Sequence, residues 1–317
     1  MIGIGLYAAA VGFDRRLEAV IQVVVEGFLV VGHGIAHPDR VAEASGGLQV
    51  YRARHSTWSN RHRAIEVGVL SRVVLITGGS RGIGAATARL AAAHGYAVGV
   101  NYVQAEEAAR NVVGEIETAG GRAIALRGDV SKEADVVGMF ERVAEELGPP
   151  TALVNNAGVV MAQARLEAMS AERLERMFAV NVMGAFLCAR EAVRRMSTQH
   201  GSAGGVIVNV SSGASRRGSP GEWVDYAASK GAIDSMTIGL AKEVAAEGIR
   251  VVAVRPGLVK TEIHTAGGEP ARVERMAPLV PMQRGGEPGE VAEAILWLMS
   301  SAASYTTGAI LDVAGGL

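Results

Sequence analysis

The chain has 317 residues, of which 49% are hydrophobic and 20% are charged, and its formal net charge is −1. This composition supports a large buried core and excludes a chain that is disordered throughout. A net charge so close to zero gives no field that would attract nucleic acid or an anionic membrane. The single cysteine, Cys188, excludes an internal disulfide and a cysteine-based zinc site. We therefore expect a cytoplasmic, enzyme-sized protein with no metal site, no nucleic-acid partner and no membrane partner.

The first 70 residues differ from the rest of the chain. Residues 19–36, AVIQVVVEGFLVVGHGIA, are apolar but contain Glu26 and His33, and they only reach the short limit of a membrane span. Residues 37–66 are rich in Arg and His and follow no steady period. We expect residues 1–70 to be a poorly ordered, non-catalytic extension, or upstream sequence included by an early start assignment. A helical or membrane-associating extension and a second domain are the alternatives.

From about Ser71 onward, short apolar runs alternate with stretches of helical periodicity. The predicted strands are 73–77, 96–102, 122–130, 151–157, 205–212, 250–257 and 309–316. The predicted helices are 82–95, 104–119, 132–147, 171–198, 224–247 and 287–301. Nearly all-apolar strands that alternate with helices indicate a parallel sheet covered on both faces. The sequence therefore predicts one α/β domain over residues 71–317, a doubly wound parallel sheet of the Rossmann type.

A glycine-rich turn follows the first of these strands. Gly78, Gly82 and Gly84 are spaced G-x-x-x-G-x-G in the stretch VVLITGGSRGIG. In a doubly wound sheet this first turn binds the pyrophosphate of a dinucleotide, because the amides and the dipole of the next helix favour negative charge. The spacing differs from the G-x-G-x-x-G fingerprint, and a purely structural loop is the alternative.

The end of the second strand indicates which dinucleotide is bound. NAD sites usually place an acid there to hold the adenosine ribose, whereas this chain has Asn101 and Tyr102 and no acid before Glu106. Arg81, inside the glycine loop, is suited to pairing with a 2′-phosphate. These residues favour NADP(H) over NAD(H), although a solvated surface arginine is the alternative for Arg81.

A tyrosine and a lysine lie one helical turn apart in the stretch VDYAASKGA. Tyr226 and Lys230 are at positions i and i+4 and project from one helix face. A lysine ammonium within hydrogen-bonding range would stabilise a phenolate and lower the pKa of the tyrosine. Ser211 and Ser212 end an earlier strand, where ligands bind in such sheets.

Taken together, TGGSRGIG, NNAG (155–158), N-V-x-G (181–184), the serine pair, YAASK and RPG (255–257) resemble the short-chain dehydrogenase/reductase family. Their order and separations match over residues 71–317. The resemblance implies a seven-stranded sheet and hydride transfer between a nicotinamide and a carbonyl or alcohol. It implies that Tyr226 exchanges a proton with the substrate oxygen and that Ser212 hydrogen-bonds the same oxygen. It also implies that Lys230 lowers the pKa of the tyrosine and holds the nicotinamide ribose, and that Asn181 positions a water.

The same resemblance, together with the glycine loop and the end of the second strand described above, implies which residues contact the cofactor. These are Gly78, Ser80, Arg81, Gly82, Ile83, Gly84, Asn101, Asp129, Val130, Asn156, Ala157, Gly158, Tyr226, Lys230, Pro256, Gly257, Val259 and Thr261. Purely structural roles are the alternative for three of them: Asn156 as a strand brace, and Asp129 and Thr261 as caps.

The substrate is a small carbonyl or alcohol compound that the sequence does not identify. The chain is similar to bacterial 3-oxoacyl-thioester reductases and glucose-type dehydrogenases, and the family places its substrate pocket here at residues 215–225 and a lid at 262–282. Trp223 would line the pocket or pack under the lid, and His264 would be a lid surface residue. The family also implies a homotetramer built on helices 171–198 and 224–247. A non-catalytic dinucleotide-binding sensor on the same fold is the rival function.

Overall fold

A seven-stranded parallel sheet organises residues 72–317. The computed structural model describes these residues and, nearer the N-terminus, the backbone of four short strands at 20–25, 28–33, 42–44 and 48–50. The chain divides into two units, Met1–Glu66 and Val67–Leu317.

The N-terminal unit contains two antiparallel pairs of strands. Strand β1 (Val20–Val25) pairs with β2 (Phe28–His33), and β3 (Ala42–Ala44) pairs with β4 (Leu48–Val50). The apolar stretch 19–36 thus contains the paired strands β1 and β2. The prediction of a poorly ordered, non-catalytic extension falls mostly on residues outside those described, and it stays a prediction.

The second unit holds the predicted parallel sheet. Its strands are β5 (Arg72–Ile76), β6 (Tyr96–Tyr102), β7 (Arg122–Arg127), β8 (Ala152–Asn155), β9 (Gly205–Val210), β10 (Ile249–Pro256) and β11 (Ile310–Val313). They lie in the order β11-β10-β9-β8-β5-β6-β7, and every neighbouring pair is parallel. The predicted fold class, a doubly wound parallel sheet, is confirmed.

Helices cover both faces of this sheet. They are α1 (Gly82–Ala93), α2 (Glu106–Thr118), α3 (Glu133–Glu146), α4 (Ala171–Phe178), α5 (Gly184–Met196), α6 (Ala214–Arg217), α7 (Val224–Val244), α8 (Ile263–Ala266), α9 (Arg272–Met276) and α10 (Pro288–Met299). Within the described part of the chain, no helix is long and apolar enough to cross a bilayer.

The core has two halves, one on each face of the sheet. Side chains alternate along a strand, so in β5 Val74 and Ile76 join one buried cluster while Val73 and Leu75 join the other. All four are completely buried. Strands buried on both faces are nearly all apolar, which explains why β5 and β6 show no alternation of polar and apolar residues.

The strand order reverses between β5 and β8. The chain runs outward from β5 through β6 to β7 and then returns to the other side of β5 at β8. In such sheets a crevice opens beyond the carboxyl ends of the two strands that flank the reversal. The glycine loop after β5 and the NNAG stretch after β8 both lie at this position.

The helix predicted over residues 171–198 is not continuous. A π-helical turn at Ala179–Met183 separates α4 from α5. Such turns are common at functional sites, and this one contains Asn181. Hydrophobic periodicity does not reveal it, because one extra residue in a turn changes the apolar pattern little.

Candidate active site

A cleft of about 1050 Å³ lies at the carboxyl edge of the sheet. It is lined by the glycine loop, the ends of β6 and β8, the Tyr226–Lys230 face of α7, the segment after β10 and the predicted lid. All the predicted site residues line it except Gly84 and Asn181, which lie directly behind its wall. The topology therefore brings the predicted set to one place.

The glycine loop is shaped by close backbone contacts. Gly78 and Gly82 have positive φ angles of 60° and 54°, which favour glycine. A Cβ on Gly84 would lie 2.3 Å from the Gly78 carbonyl oxygen and 2.6 Å from Asn156 Nδ2. Helix α1 starts at Gly82 with no side-chain cap, so its first amides are available to an anion.

Asn101 supports this loop from below. Its Oδ1 accepts a hydrogen bond from the Gly78 amide at 3.0 Å, and its Nδ2 donates to the carbonyls of Leu126 and Gly128 at 3.2 and 2.9 Å. The side chain is 1% exposed. Asn101 also lines the cleft, so its predicted contact with the cofactor stays a prediction beside its role in holding the glycine loop.

Asn156 and Thr77 join the glycine loop to strand β8. Asn156 Nδ2 donates to the carbonyls of Thr77 and Gly78 at 2.9 and 3.0 Å. Thr77 Oγ1 accepts from the amides of Asn156 and Ala157, both at 3.0 Å. Asn156 therefore links the end of β8 to the glycine loop after β5, which is the structural role given above as its alternative. Sequence reasoning missed Thr77, whose only signal was a hydroxyl at the boundary between strand and loop.

Asp129, after β7, lies at the adenosine end of the cleft beside Val130. Burial raises its pKa, but hydrogen bonds from Ser131 and the charge of Arg176 outweigh it and hold the pKa below its usual value. Arg176 Nη1 lies 3.3 Å from Asp129 Oδ2. Arg176 comes from α4 and was not singled out from the sequence. Arg81 is exposed at the start of α1 and lines the same end of the cleft.

The two serines after β9 have different surroundings. Ser211 is 2% exposed, and its hydroxyl donates to the Lys230 carbonyl at 3.2 Å. Ser212 lines the cleft, and its Oγ accepts from the Ala214 amide at 3.1 Å. Ser212 lies close enough to the phenol of Tyr226 to lower its pKa. Both serines line the cleft, and Ser212 is the more exposed of the two.

Tyr226 and Lys230 lie side by side on α7, and burial shifts the pKa of both. Lys230 Nζ donates to the Val210 carbonyl at 2.7 Å and lies 5.8 Å from the centre of the Tyr226 ring. Burial raises the pKa of Tyr226, opposed by the hydrogen bond from Ser212. Burial lowers the pKa of Lys230 to about 8, opposed by the charge of Asp234. The lowering of the tyrosine pKa by Lys230 stays a prediction, since burial and Ser212 are the influences on the phenol here.

Asn181 lies behind the lysine. Its Oδ1 accepts from the Val159 amide at 2.8 Å, and its Nδ2 donates to the Val159 carbonyl at 3.0 Å and to Ser229 Oγ at 3.1 Å. A Cβ on Gly158 would lie 3.4 Å from Asn181 Oδ1 and 3.5 Å from Lys230 Nζ. The amide and the ammonium therefore meet at Gly158. Ser229 is the polar contact here that sequence reasoning missed.

The segment after β10 closes over the glycine loop. The Gly257 amide donates to the Val313 carbonyl at 3.0 Å, and Val259 forms a bridge with Gly286. Thr261 then reaches the loop, since its Cγ2 lies 3.2 Å from the place of a Cβ on Gly82. Pro256 and Gly257 line the cleft on the way. This segment and the glycine loop form opposite sides of one groove.

The substrate end of the cleft lies between α6, the start of α7 and the lid. Trp223 both lines the cleft and packs under the lid: its Nε1 donates to the Met161 carbonyl at 2.6 Å, and Arg272 of α9 lies 4.4 Å above its ring. His264 of α8 also lines the cleft, and its Nε2 bonds to the Val259 carbonyl at 2.8 Å. Burial lowers the pKa of His264. His264 is thus a half-buried, neutral residue that anchors the lid, not a surface residue.

The comparisons with known proteins agree with this geometry. The family model described as enoyl-(acyl carrier protein) reductase matches residues 78–317. An Escherichia coli K12 protein named uncharacterized oxidoreductase YgfF is 57% identical over 244 residues, which are 77% of this chain and 99% of that protein. A protein of Sinomonas cyclohexanicum named cis-4-hydroxycyclohexanecarboxylate dehydrogenase is 41% identical over 246 residues, 77% of this chain and 96% of that one.

A solved structure shows the same architecture. The crystal structure of a short chain dehydrogenase from Burkholderia cenocepacia J2315, in complex with NADP, superposes with a TM-score of 0.72 at 32% sequence identity. The match covers 78% of this chain and 97% of that structure. The chain belongs to the short-chain dehydrogenase/reductase family of oxidoreductases.

Proposed function

We propose that this protein reduces the carbonyl group of a small molecule with NADPH, and oxidises the corresponding secondary alcohol in the reverse direction. One observation carries the proposal: Ser212, Tyr226 and Lys230 line one cleft, and Asn181 lies directly behind the lysine. Two adjacent hydroxyls at the carboxyl edge of a doubly wound sheet are suited to holding one substrate oxygen.

The groove fits a dinucleotide. The uncapped amides at the start of α1 would hold the pyrophosphate, and the segment from Pro256 to Thr261 would border it from the opposite side. Arg81 would pair with the 2′-phosphate of NADP(H), since no acidic side chain lies at the end of β6 to select NAD(H). When bound, a reduced nicotinamide would supply the hydride to the carbonyl carbon.

The protein's own residues would move the proton. Tyr226 gives its phenolic proton to the carbonyl oxygen as the hydride reaches the carbon, while Ser212 donates a hydrogen bond to the same oxygen. Burial raises the pKa of Tyr226, so the phenol is protonated at neutral pH and can act as an acid. Lys230 supplies positive charge beside the ring, and Asn181 fixes the wall next to the lysine through both of its bonds to Val159.

The substrate that we favour is a 3-oxoacyl thioester or another simple ketone, with sugar and other secondary-alcohol dehydrogenases as the second candidate. Both are supported by the motifs that the chain shares with such enzymes. A non-catalytic sensor is supported less, because all four predicted catalytic side chains are present around one cleft.

Steady-state kinetics would test the proposal. The rate of NADPH oxidation is measured with an acetoacetyl thioester, small ketones and sugars, with NADH in parallel. Tyr226→Phe should lower turnover by roughly 10²- to 10⁴-fold, the usual contribution of a general acid, and leave NADPH affinity nearly unchanged. Tyr305→Phe, at a fully exposed tyrosine, is the matched control and should have wild-type turnover. Unchanged turnover in Tyr226→Phe would contradict the mechanism.

We also propose a homotetramer. Helix α5 and the turn before it expose Met183 and Phe186, which are 58% and 48% accessible, and α7 exposes Ile238 at 43%. Apolar side chains on helices that share one side of the sheet favour association with further copies. Sedimentation that shows only monomer would contradict this proposal.

A further inference from the structure

The cationic side chains at the substrate end of the cleft differ in how well they are paired. Arg272 binds Glu222 through Nη2 at 2.6 Å and stacks on Trp223. Arg216 binds Asp312 through Nη1 at 2.7 Å and does not line the cleft. Arg217, the next residue, lines the cleft and makes no hydrogen bond or ion pair with any other residue in the described range 72–317.

Arg217 lies close to the proposed reaction centre. It ends α6, the short helix that begins two residues after Ser212. Its side chain folds back toward the serine, since Nη1 lies 2.9 Å from the place of a Cβ on Gly213. The guanidinium therefore lies beside the residue next to the serine that would hold the substrate oxygen.

The acidic side chains that line the cleft do not neutralise this guanidinium. Asp129 bonds to Ser131 and Arg176 at the adenosine end. Glu222 is already paired with Arg272, and Glu262 lies toward the glycine loop, with Oε2 3.6 Å from the place of a Cβ on Gly82. Burial lowers the pKa of Arg217, and the nearby charge of Arg272 lowers it further. A partly desolvated guanidinium with a second one nearby is stabilised by a bound anion.

We propose that Arg217 binds a carboxylate of the substrate, so that among the simple ketones of the proposed function the enzyme prefers keto acids to neutral ketones, and in the reverse direction hydroxy acids to neutral alcohols. A single planar guanidinium matches the two oxygens of a carboxylate. A carboxylate also occurs in the compound that names the relative from Sinomonas cyclohexanicum. This inference rests on the proposed reductase function, because it assigns the recognition of that enzyme's substrate.

The test compares ketones that differ only in charge. The kcat/KM of NADPH-dependent reduction is measured for 4-oxocyclohexanecarboxylate and its neutral carboxamide, with wild type, Arg217→Met and Arg217→Lys. Wild type should prefer the carboxylate by roughly 10- to 100-fold, the range expected for a hydrogen-bonded ion pair. Arg217→Met should lose the preference through KM, and Arg217→Lys should keep part of it. Arg216→Met, the matched control, should keep all of it.

A binding measurement separates this inference from the proposed function. Calorimetric titration of the NADPH-saturated enzyme with 4-hydroxycyclohexanecarboxylate and its carboxamide requires no turnover. Tighter binding of the carboxylate that Arg217→Met abolishes supports the inference, even if no ketone is reduced and the proposed function fails. Equal affinity for both compounds, or no binding of either, overturns it while leaving the reductase function to the kinetic assay. Loss of NADPH affinity in Arg217→Met would assign the arginine to the cofactor and also overturn it.

Discussion

Replacement of Gly84 by alanine should damage both the stability of the domain and its affinity for NADPH. The added Cβ would lie 2.3 Å from the Gly78 carbonyl oxygen and 2.6 Å from Asn156 Nδ2. Neither atom can retreat freely, because Asn101 holds the Gly78 amide and Asn156 donates to the carbonyls of Thr77 and Gly78. The loop must shift as a whole, and the amides at the start of α1 shift with it.

The size of the effect follows from these contacts. Forcing a methyl group into a packed site costs about 1–3 kcal/mol, and weakening the two Asn156 hydrogen bonds adds about 1 kcal/mol each. The better helix propensity of alanine returns at most about 1 kcal/mol. We expect Gly84→Ala to lower the free energy of unfolding by about 2–4 kcal/mol, the balance of these contributions.

The assay is urea denaturation together with NADPH titration. Gly114→Ala is the matched control, because Gly114 lies inside α2 and a Cβ there would meet nothing within 4 Å. The control should raise the free energy of unfolding by about 0.5–1 kcal/mol and leave NADPH affinity unchanged. Gly84→Ala with the urea midpoint and NADPH affinity of the wild type would refute the account of the loop.

Two further predictions concern single side chains. Arg81→Ala should raise the Kd for NADPH about tenfold, as expected for loss of a charge-assisted hydrogen bond, and leave the Kd for NADH nearly unchanged. Equal weakening of both cofactors would contradict a 2′-phosphate contact. Burial and the charge of Glu191 raise the pKa of the Cys188 thiol to about 12, so a thiolate-specific reagent should label no thiol in the native protein and one in urea. Rapid labelling of the native protein would show that the helix packing around Cys188 opens.

The sheet and its site could be predicted because local patterns determine them. Strands buried on both faces are nearly all apolar, so β5 and β6 were found within a residue of their ends. The glycine loop follows β5 directly. Its place in the first turn of a doubly wound sheet predicted that it binds the pyrophosphate of a dinucleotide. The i, i+4 spacing of Tyr226 and Lys230 was enough to predict that they lie side by side on one helix face.

Contacts between distant segments could not be predicted. The end of the second strand predicted a cofactor role for Asn101, but it did not predict that its amide bonds to the glycine loop and to the end of β7. The π turn that carries Asn181 depends on bonds from that side chain to Val159, 22 residues away. The pKa of Tyr226 depends on how deeply the finished fold buries the phenol, and sequence spacing does not contain that information.

The lysine, not the tyrosine, should set the alkaline limit of the reduction. Burial raises the pKa of Tyr226, so the phenol keeps its proton as the pH rises. Burial lowers the pKa of Lys230 to about 8, so Lys230 is charged below that pH and loses its charge above it. The kcat/KM for reduction reports ionisations of the free enzyme and should therefore fall as the pH rises past about 8.

Asp234 offers a way to assign that limit to the lysine. Its carboxylate raises the pKa of Lys230 and is paired with Arg255 at 2.9 Å. Asp234→Asn can still accept a hydrogen bond from Arg255 but removes the negative charge, so the pKa of Lys230 should fall. The decline in kcat/KM should then begin at a lower pH than in the wild type, with the urea midpoint measured to show that the variant is folded. A folded variant whose decline stays in place or moves to higher pH would show that another group sets the limit, because removing a nearby negative charge can only make the ammonium easier to deprotonate.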